Sequence, residues 1–247
     1  MTSVLLVLVS GASASTTDAD DSFDIAITPA QIRVACAATI ADYAAVAQSY
    51  SDGNANHDVS QNIQAAIRGC PGPLDVLDLG CAGGRDACTF AANGHRVVAV
   101  AGSLAFARLT QQATSARKVS SQVEVICSSI YDLELGDRKF DVVFANAVLF
   151  HLPSAALSVV LARIATALKP DTGIFFASNA HGFGRDQEGW VRGRTMHTRS
   201  YVSWLSEATW TRMCKEAGLT LVEKFYRPPN RPRAQQPFLA TAWKRVG

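Results

Sequence analysis

Several features that mark other protein classes are missing from this sequence. None of its six cysteines forms a C-x-x-C pair or stands at a zinc-finger spacing from a histidine, which argues against a structural metal and a disulfide framework. The apolar run at residues 4–9 is far shorter than the roughly 20 residues that a membrane-spanning helix requires. The net charge is only +2, so the chain lacks the basic excess of a dedicated nucleic-acid binder. What is present is 247 residues with 48% apolar content, enough to bury a full core.

Residues 1–27 are predicted to be an N-terminal extension. The run at 4–9, followed by Ala12-Ser13-Ala14, has the pattern of a short signal-peptide core and cleavage site, but no Lys or Arg precedes it. A cleaved targeting segment, giving a secreted or organellar form, therefore stays open beside a plain extension. Free cysteines inside apolar stretches favour a reducing compartment. The predicted location is cytoplasmic.

Residues 28–247 are predicted to form one domain that begins with a helical segment at 28–70. Thr28-Pro29 is a suitable helix start, because threonine caps free amides and proline fits the first turn. Apolar residues at spacings of three and four from Ile32 to Tyr50 predict a helix of about five turns, which the sequence Ser51-Asp52-Gly53-Asn54 ends. A short second helix is predicted at 59–68.

Residues 74–247 alternate between short apolar runs and segments of helical length, which predicts a doubly wound parallel sheet. The predicted strands are 74–79, 97–100, 123–127, 141–145 and 174–177, and the predicted helices are 85–93, 103–118, 154–168 and 201–217. Residues 219–225 and 237–243 are two strand candidates with no helix between them, so they are expected to pair as an antiparallel hairpin. The predicted fold class is α/β, a Rossmann-like seven-stranded sheet with a C-terminal hairpin and an N-terminal helical lid.

The stretch Asp78-Leu79-Gly80-Cys81-Ala82-Gly83-Gly84 follows the first predicted strand and precedes a helix. A glycine-rich turn at that point lets a ligand approach the backbone and the free amides of the helix start. Because a second strand ends about 20 residues later, the pattern indicates a site for an adenosine-containing cofactor. A tight turn without a ligand is the alternative.

With these motifs the chain resembles the class I S-adenosylmethionine-dependent methyltransferases. Asp78, Gly80 and Gly84 match the family's first motif, with Ala82 in place of its middle glycine. The segment 140–153 resembles the family's fourth-strand motif, and Leu168-Lys169-Pro170 with Gly173 resembles its approach to strand five. Segments 57–62, 187–190, 226–229 and 235–237 are similar to a group of bacterial small-molecule methyltransferases. The resemblance covers roughly residues 50–245.

The resemblance implies S-adenosylmethionine as the cofactor. It implies a cofactor site lined by Asp78, Gly80, Cys81, Gly84, Ala101, Gly102, Ser103, Ser129, Ile130 and Asn146, with Tyr50 and the segment 57–62 folded over it. Two of these positions depart from the family, because Ala101 stands where an acidic residue holds the ribose hydroxyls and Ser129 where an acidic residue reaches the adenine amine. Losing one charged hydrogen-bond partner costs about 1.5 to 3 kcal/mol of binding.

The acceptor side of the site is predicted from chemistry near the later strand ends. His151 follows the fourth strand and is the candidate general base, because its unperturbed pKa lies near neutral; a histidine that only packs the loop is the alternative. Residues 181–247 carry a net charge of +7 against −5 for residues 1–180, and Arg227 and Arg231 stand among prolines that suit a carboxylate or phosphate of a substrate. A solvated basic loop is the alternative there. The expected acceptor-binding residues are His57, Gln61, Trp190, Arg227 and Arg231.

The leading hypothesis is methyl transfer to an oxygen, nitrogen or sulfur of a small polar acceptor. A methyltransferase-like protein without catalysis is the second hypothesis, because Ala101 and Ser129 weaken the cofactor site, and a nicotinamide-dependent oxidoreductase is the third. Residues 146–149 lack the Asn/Asp-Pro-Pro-aromatic motif for flipped bases, so a nucleic-acid substrate is disfavoured. No metal or membrane partner is expected, and the sequence indicates no oligomeric state.

Overall fold

The computed structural model describes residues 28–192 and 199–245, and the predicted extension with its targeting alternative lies outside them. The described part of the chain begins with three helices, α1 (Pro29–Ala45), α2 (Ala47–Asn54) and α3 (Ser60–Ile67). Thr28 caps α1 as predicted, because its hydroxyl accepts from the amide of Gln31 while the Gln31 side chain accepts from the amide of Thr28. We refer to α1–α3 as the lid.

The predicted break at residues 51–54 was wrong. The first helix instead ends at Ala45, and α2 continues through Asn54. Two bonds hold this last turn: the Asn54 side chain donates to the carbonyl of Tyr50 at 2.7 Å, and the Arg85 guanidinium donates to the carbonyl of Asn54 at 3.0 Å. A contact from a distant helix thus outweighs the low helix propensity of Gly53.

The central sheet follows the predicted pattern. Its first five strands are β1 (Asp75–Leu79), β2 (Arg96–Ala101), β3 (Val123–Cys127), β4 (Val142–Asn146) and β5 (Ile174–Ala180). A separate pair, β6 (Gln187–Arg192) and β7 (Arg199–Trp204), precedes β8 (Leu219–Arg227) and β9 (Phe238–Arg245). The seven-stranded sheet has the order β3-β2-β1-β4-β5-β9-β8, parallel through β5 and antiparallel at β9 and β8. The predicted α/β fold class is confirmed.

The four remaining α-helices of the described residues are α4 (Arg85–Ala92), α5 (Leu104–Ala116), α6 (Ser154–Ala167) and α7 (Glu207–Glu216). Helices pack on both faces of the sheet: α6 and α7 cover the face that carries Phe175, and α3, α4 and α5 cover the face that carries Phe144 and Phe176. The rings of Phe144 and Phe176 stack with centroids 5.1 Å apart. None of the helices that the structure describes has the length and apolar content to cross a membrane.

The predicted helix at 201–217 was wrong in its first third, because residues 199–204 form β7. The amides of Arg199 and Tyr201 on the edge of β7 donate to the side chains of Asp42 and Thr39 of α1, at 2.7 and 2.9 Å. The helix starts later because the Ser206 hydroxyl caps it. The short sequence of β7 gave no sign of this pairing, since its edge partners lie in α1.

Candidate cofactor and acceptor site

The glycine turn joins the end of β1 to the start of α4. Gly80 and Gly84 have φ angles of 72° and 83°, and Ala82 between them has a φ of 46°, which costs a residue with a side chain about 1–2 kcal/mol. The amide of Gly80 donates to the carbonyl of Val100 in β2 at 2.9 Å. The turn therefore lies at the carboxyl edge of the sheet, where open α/β sheets bind ligands.

Protein side chains approach the glycines of this turn. A Cβ at Gly80 would overlap Cγ2 of Val148, and one at Gly83 would lie 2.5 Å from the hydroxyl oxygen of Ser51 in α2. The need for glycine here therefore arises from packing within the protein, and not only from the approach of a ligand that the sequence suggested.

Asp78 lies at the end of β1, beneath the turn. Its side chain is buried, and one carboxyl oxygen, Oδ2, has no hydrogen-bond partner among the described residues. Burial, together with the negative charge of nearby Asp86, raises the pKa of Asp78 well above its usual range. A ligand that donates to this oxygen would compensate for its burial.

A chain of hydrogen bonds crosses the site from the lid to α4. The side-chain nitrogen Nδ2 of Asn62 in α3 donates to Oδ1 of Asn146 at 3.0 Å, and Nδ2 of Asn146 donates to Oδ2 of Asp86 at 3.0 Å. Asp86 is also paired with Arg85, whose Nε lies 2.6 Å from Oδ1. Asn62 has no exposed surface, and its own Oδ1 is buried without a partner in the described chain.

The sequence predicted Asn146 and placed Asn62 over the cofactor site as part of the segment 57–62, but it gave no role of their own to Asn62, Arg85 or Asp86. For Arg85 and Asp86 a signal existed, because they open the helix directly after the glycine turn, where free amides and charged side chains meet. For Asn62 the resemblance gave a place over the site but not its partner, since 84 residues separate it from Asn146.

The lid covers the ends of β1 and β2. A Cβ at Gly102 would lie 3.1 Å from Cγ1 of Ile40 in α1, and Tyr50 packs edge-on against Phe106 with ring centroids 5.8 Å apart. Burial raises the pKa of the Tyr50 hydroxyl. These contacts place Tyr50 between α2 and α5, and its position over a bound cofactor stays a prediction.

The residues expected around the adenosine have other partners. Ala101 has no exposed surface, Cys81 is buried beside the hydroxyl of Thr110, and burial raises the pKa of its thiol. The hydroxyl of Ser103 accepts from the amide of Phe106 as the cap of α5, and that of Ser129 accepts from the amide of Tyr131 at 3.2 Å. Ile130 packs against the core. A carboxylate for the ribose is therefore missing at Ala101, as the sequence indicated.

His151 lies in a short turn after β4, half-buried between the lid and β7. Its Nδ1 is 3.0 Å from the carbonyl oxygen of Tyr201, and its Nε2 is 3.2 Å from the hydroxyl of Tyr43. Burial lowers the pKa of His151 to about 4, although the bond to Tyr201 opposes the shift. The ring is therefore neutral at physiological pH.

The five expected acceptor residues do not all come together. Arg227, at the end of β8, donates to the carbonyl of Asp58 at 2.9 Å, and its Nε is buried without a partner in the residues described. Burial lowers the pKa of Arg227, and the charges of Asp58, Arg85 and Asp86 also act on it. Gln61, on α3, likewise has a buried oxygen with no partner among described residues. The structure thus places Gln61 in the lid and Arg227 against the residues that precede α3.

The other three expected residues lie at the surface. His57 and Arg231 are exposed. Trp190, on β6, is 40% exposed and stacks with the guanidinium of Arg199, 4.7 Å from its ring centroid. Nothing in this arrangement directs these three side chains to the polar groups under the lid.

A small cavity lies behind the end of β5. It is lined by side chains of the β4 turn, β5, β7 and α7, including Phe150, Asn179, His181 and Trp210. Oδ1 of Asn179 is buried without a partner in the described residues. Within the described ranges no group of three His, Cys, Asp or Glu side chains is placed to hold a metal ion.

The strand order, the final antiparallel strand and the glycine turn beneath a helical lid define the class I methyltransferase fold. A family model described as a methyltransferase domain matches residues 76–171, which agrees with the resemblance that the sequence motifs indicated. No curated protein matches the sequence.

Solved structures share this fold at low identity. The 1,6-didemethyltoxoflavin-N1-methyltransferase of Burkholderia thailandensis, with bound 1,6-didemethyltoxoflavin and S-adenosylhomocysteine, has a TM-score of 0.70 and 22% identity over 87% of this chain and 91% of that chain. DhpI, in complex with S-adenosylhomocysteine, has a TM-score of 0.63 and 18% identity over 86% and 97% of the two chains. The glycopeptide N-methyltransferase MtfA, complexed with S-adenosylmethionine, has a TM-score of 0.60 and 16% identity over 75% and 93%. The comparisons do not support the non-catalytic alternative over methyl transfer.

Proposed function

We propose that this protein transfers a methyl group from S-adenosylmethionine to an oxygen, nitrogen or sulfur of a small, polar, anionic acceptor. The observation that carries the proposal is a set of buried polar atoms without partners in the described chain, in Asp78, Asn62 and Arg227. Each such atom costs about 1–3 kcal/mol until a ligand satisfies it. They lie around the hydrogen-bond chain from the lid to the glycine turn.

The residues present fit the methionine end of the cofactor better than the ribose. Asp78 and the start of α4 supply an unpartnered carboxyl oxygen and free amides, whereas Ala101 supplies no polar group for the ribose. When bound, S-adenosylmethionine supplies a methyl group on a sulfonium, which the acceptor atom takes by in-line displacement while sulfur keeps the electron pair of the broken bond. Ser51 and Ile40 lie against Gly83 and Gly102, so we infer that α1 and α2 move outward for cofactor entry.

Arg227 is the residue that we assign to the anionic group of the acceptor. A guanidinium that is partly buried and has an unsatisfied N–H favours a carboxylate or phosphate oxygen strongly. His151 is the candidate base, since a neutral ring has one nitrogen free of a proton. In the proposed arrangement, the helices of residues 28–70 form a lid on a core of residues 74–247. The reaction is expected in the cytoplasm.

Titration calorimetry with S-adenosylmethionine and S-adenosylhomocysteine tests the cofactor, with NAD as the control ligand. Micromolar binding of the first two, and none of NAD, is expected. Absence of binding at millimolar concentration would favour the non-catalytic alternative, and saturable binding of NAD would favour the oxidoreductase.

Release of S-adenosylhomocysteine with a panel of acceptors tests the substrate class. Each carboxylate or phosphate compound is paired with its neutral amide or ester. Arg227→Gln is expected to raise the KM of anionic acceptors by about ten- to a hundredfold, the loss of a charged hydrogen bond, and to leave neutral acceptors unchanged. Arg212→Gln, at an exposed arginine of α7, is the matched control. Equal turnover of both members of each pair would contradict the anionic assignment.

A further inference from the structure

The hydrogen bonds of His151 determine which of its nitrogens carries the proton. A carbonyl oxygen only accepts, so the contact between Nδ1 and the carbonyl of Tyr201 requires a proton on Nδ1. In a neutral ring Nε2 then has a free lone pair. That lone pair faces the hydroxyl of Tyr43, which must be the donor in the 3.2 Å contact.

Tyr43 belongs to the helix that covers the cofactor turn. The same face of α1 carries Thr39 and Asp42, whose side chains accept from the edge amides of β7. Ile40, on this helix, lies against Gly102 at the end of β2. The position of the Tyr43 hydroxyl is therefore tied to the lid over the cofactor site and to β7.

Tyr43 is held in place by its surroundings and not by His151 alone. Its ring packs edge-on against Tyr50 and against the ring of His151, with centroids 5.3 and 5.2 Å apart. Burial raises the pKa of Tyr43 to about 12, so the phenol keeps its proton and remains a donor at neutral pH.

We propose that Tyr43 is a positioning residue for methyl transfer: the carbonyl of Tyr201 sets the Nδ1–H tautomer of His151, and the Tyr43 hydroxyl fixes the orientation of the ring, so that its Nε2 lone pair is directed at the place where the acceptor binds. This inference rests on the proposed function. The O–H, N–H or S–H of the acceptor then takes the place of the Tyr43 hydroxyl as the donor to Nε2, in the ring orientation that the Tyr43 contact has already set. As the acceptor gains its methyl group, its proton passes to Nε2, and the imidazolium keeps its Nδ1–H bond to the carbonyl of Tyr201.

The assignment of Tyr43 differs from that of a residue that only packs. A packing residue acts through its ring, which phenylalanine retains, whereas a positioning residue acts through its hydroxyl. Tyr43→Phe therefore separates the two roles, because it removes one oxygen and preserves the aromatic contacts. Tyr131→Phe is the matched control, since Tyr131 is a tyrosine of the core outside the proposed site.

Long-range proton–nitrogen NMR of the full chain, labelled with ¹⁵N-histidine, tests the pairing without any acceptor. The signals of His151 are assigned by their loss in His151→Gln. We expect Nδ1 to be protonated and Nε2 unprotonated, and Tyr43→Phe to move the Nε2 resonance alone. A proton on Nε2, an Nε2 resonance that Tyr43→Phe leaves in place, or an equal change in Tyr131→Phe would overturn the proposal.

Kinetics and cofactor binding distinguish failure of this inference from failure of the proposed function. With acceptors that the native chain methylates, Tyr43→Phe is expected to lower kcat by about ten- to a hundredfold, as misplacement of a reacting group does, with the KM of S-adenosylmethionine unchanged. An unchanged kcat would refute the positioning role. Absence of S-adenosylhomocysteine binding to the native chain, with the NMR result as expected, would instead refute methyl transfer and leave the Tyr43–His151 pair as a contact that fastens the lid.

Discussion

Replacing Ala101 by aspartate restores the carboxylate that the family uses for the ribose and so tests where the cofactor lies. Ala101 ends β2 and has no exposed surface. Ile40 of the lid lies 3.1 Å from a Cβ built on the neighbouring Gly102. A carboxylate introduced at Ala101 would therefore be buried and unpaired while the lid is closed.

Two effects of opposite sign follow from this geometry. Without ligand, an unpartnered carboxylate is expected to lower the free energy of unfolding by about 1–3 kcal/mol. With cofactor bound, the ribose hydroxyls donate to the carboxylate, and one charged hydrogen bond contributes about 1.5–3 kcal/mol. The Kd of S-adenosylhomocysteine should thus fall by about ten- to a hundredfold, in a protein that is less stable when empty.

Urea denaturation of the ligand-free protein and titration calorimetry measure the two effects separately. Ala101→Asn is the neutral control, and its gain in affinity should stay below about tenfold, because a neutral hydrogen bond contributes only about 0.5–1.5 kcal/mol. A folded Ala101→Asp variant with unchanged affinity would show that the ribose does not lie at the end of β2, which would refute the reasoning from the resemblance.

Two further predictions concern stability. Gly94→Ala should lower the free energy of unfolding by about 1–2 kcal/mol, the cost of a left-handed backbone, because Gly94 has a φ of 87° and no atom lies within 4 Å of the added Cβ. Gly80→Ala should lower it by about 1–3 kcal/mol more, because its Cβ overpacks against Val148. Equal losses of the two variants in urea denaturation would contradict the close approach of Val148 to Gly80. The pKa of Asp75 is lowered by its bonds to Arg96 and Lys169. A carboxyl whose pKa is lower in the folded than in the unfolded chain stabilises the fold above the unfolded pKa, so the free energy of unfolding should fall as the pH drops below about 4. Between pH 5 and pH 3 the urea midpoint should fall less in Asp75→Asn than in the native chain.

The strands of the parallel sheet were predictable because each one is a short apolar run of its own. β3 has the predicted bounds, residues 123–127, whereas β5 extends three residues beyond its apolar part to Ala180. Those last residues pair with β9, from Ser178 opposite Ala240 to Ala180 opposite Phe238. The end of β5 is therefore set by its partner strand, which lies about 60 positions away in the chain.

Residues of the candidate site were predictable where a local sequence pattern marks the end of a strand. Asn146 and His151 follow a strand end, and the glycine turn follows another, so their place at the carboxyl edge of the sheet follows from strand order. Their partners did not follow, because Tyr43 is 108 residues from His151 and the two share no local motif. The assignments of Trp190 and Arg231 to the acceptor remain predictions that the geometry gives no reason to favour.

The sequence by itself determined the alternation of strands and helices, the glycine turn, the missing ribose carboxylate and the antiparallel end of the sheet, since each depends on residues that are neighbours in the chain. Only the tertiary structure decided that α1 bonds to the edge of β7, that Asn62 reaches Asn146, and that His151 is held between Tyr201 and Tyr43. The physical reason is that buried polar groups must find partners, and these partners come from elements far apart in sequence that the folded chain brings together.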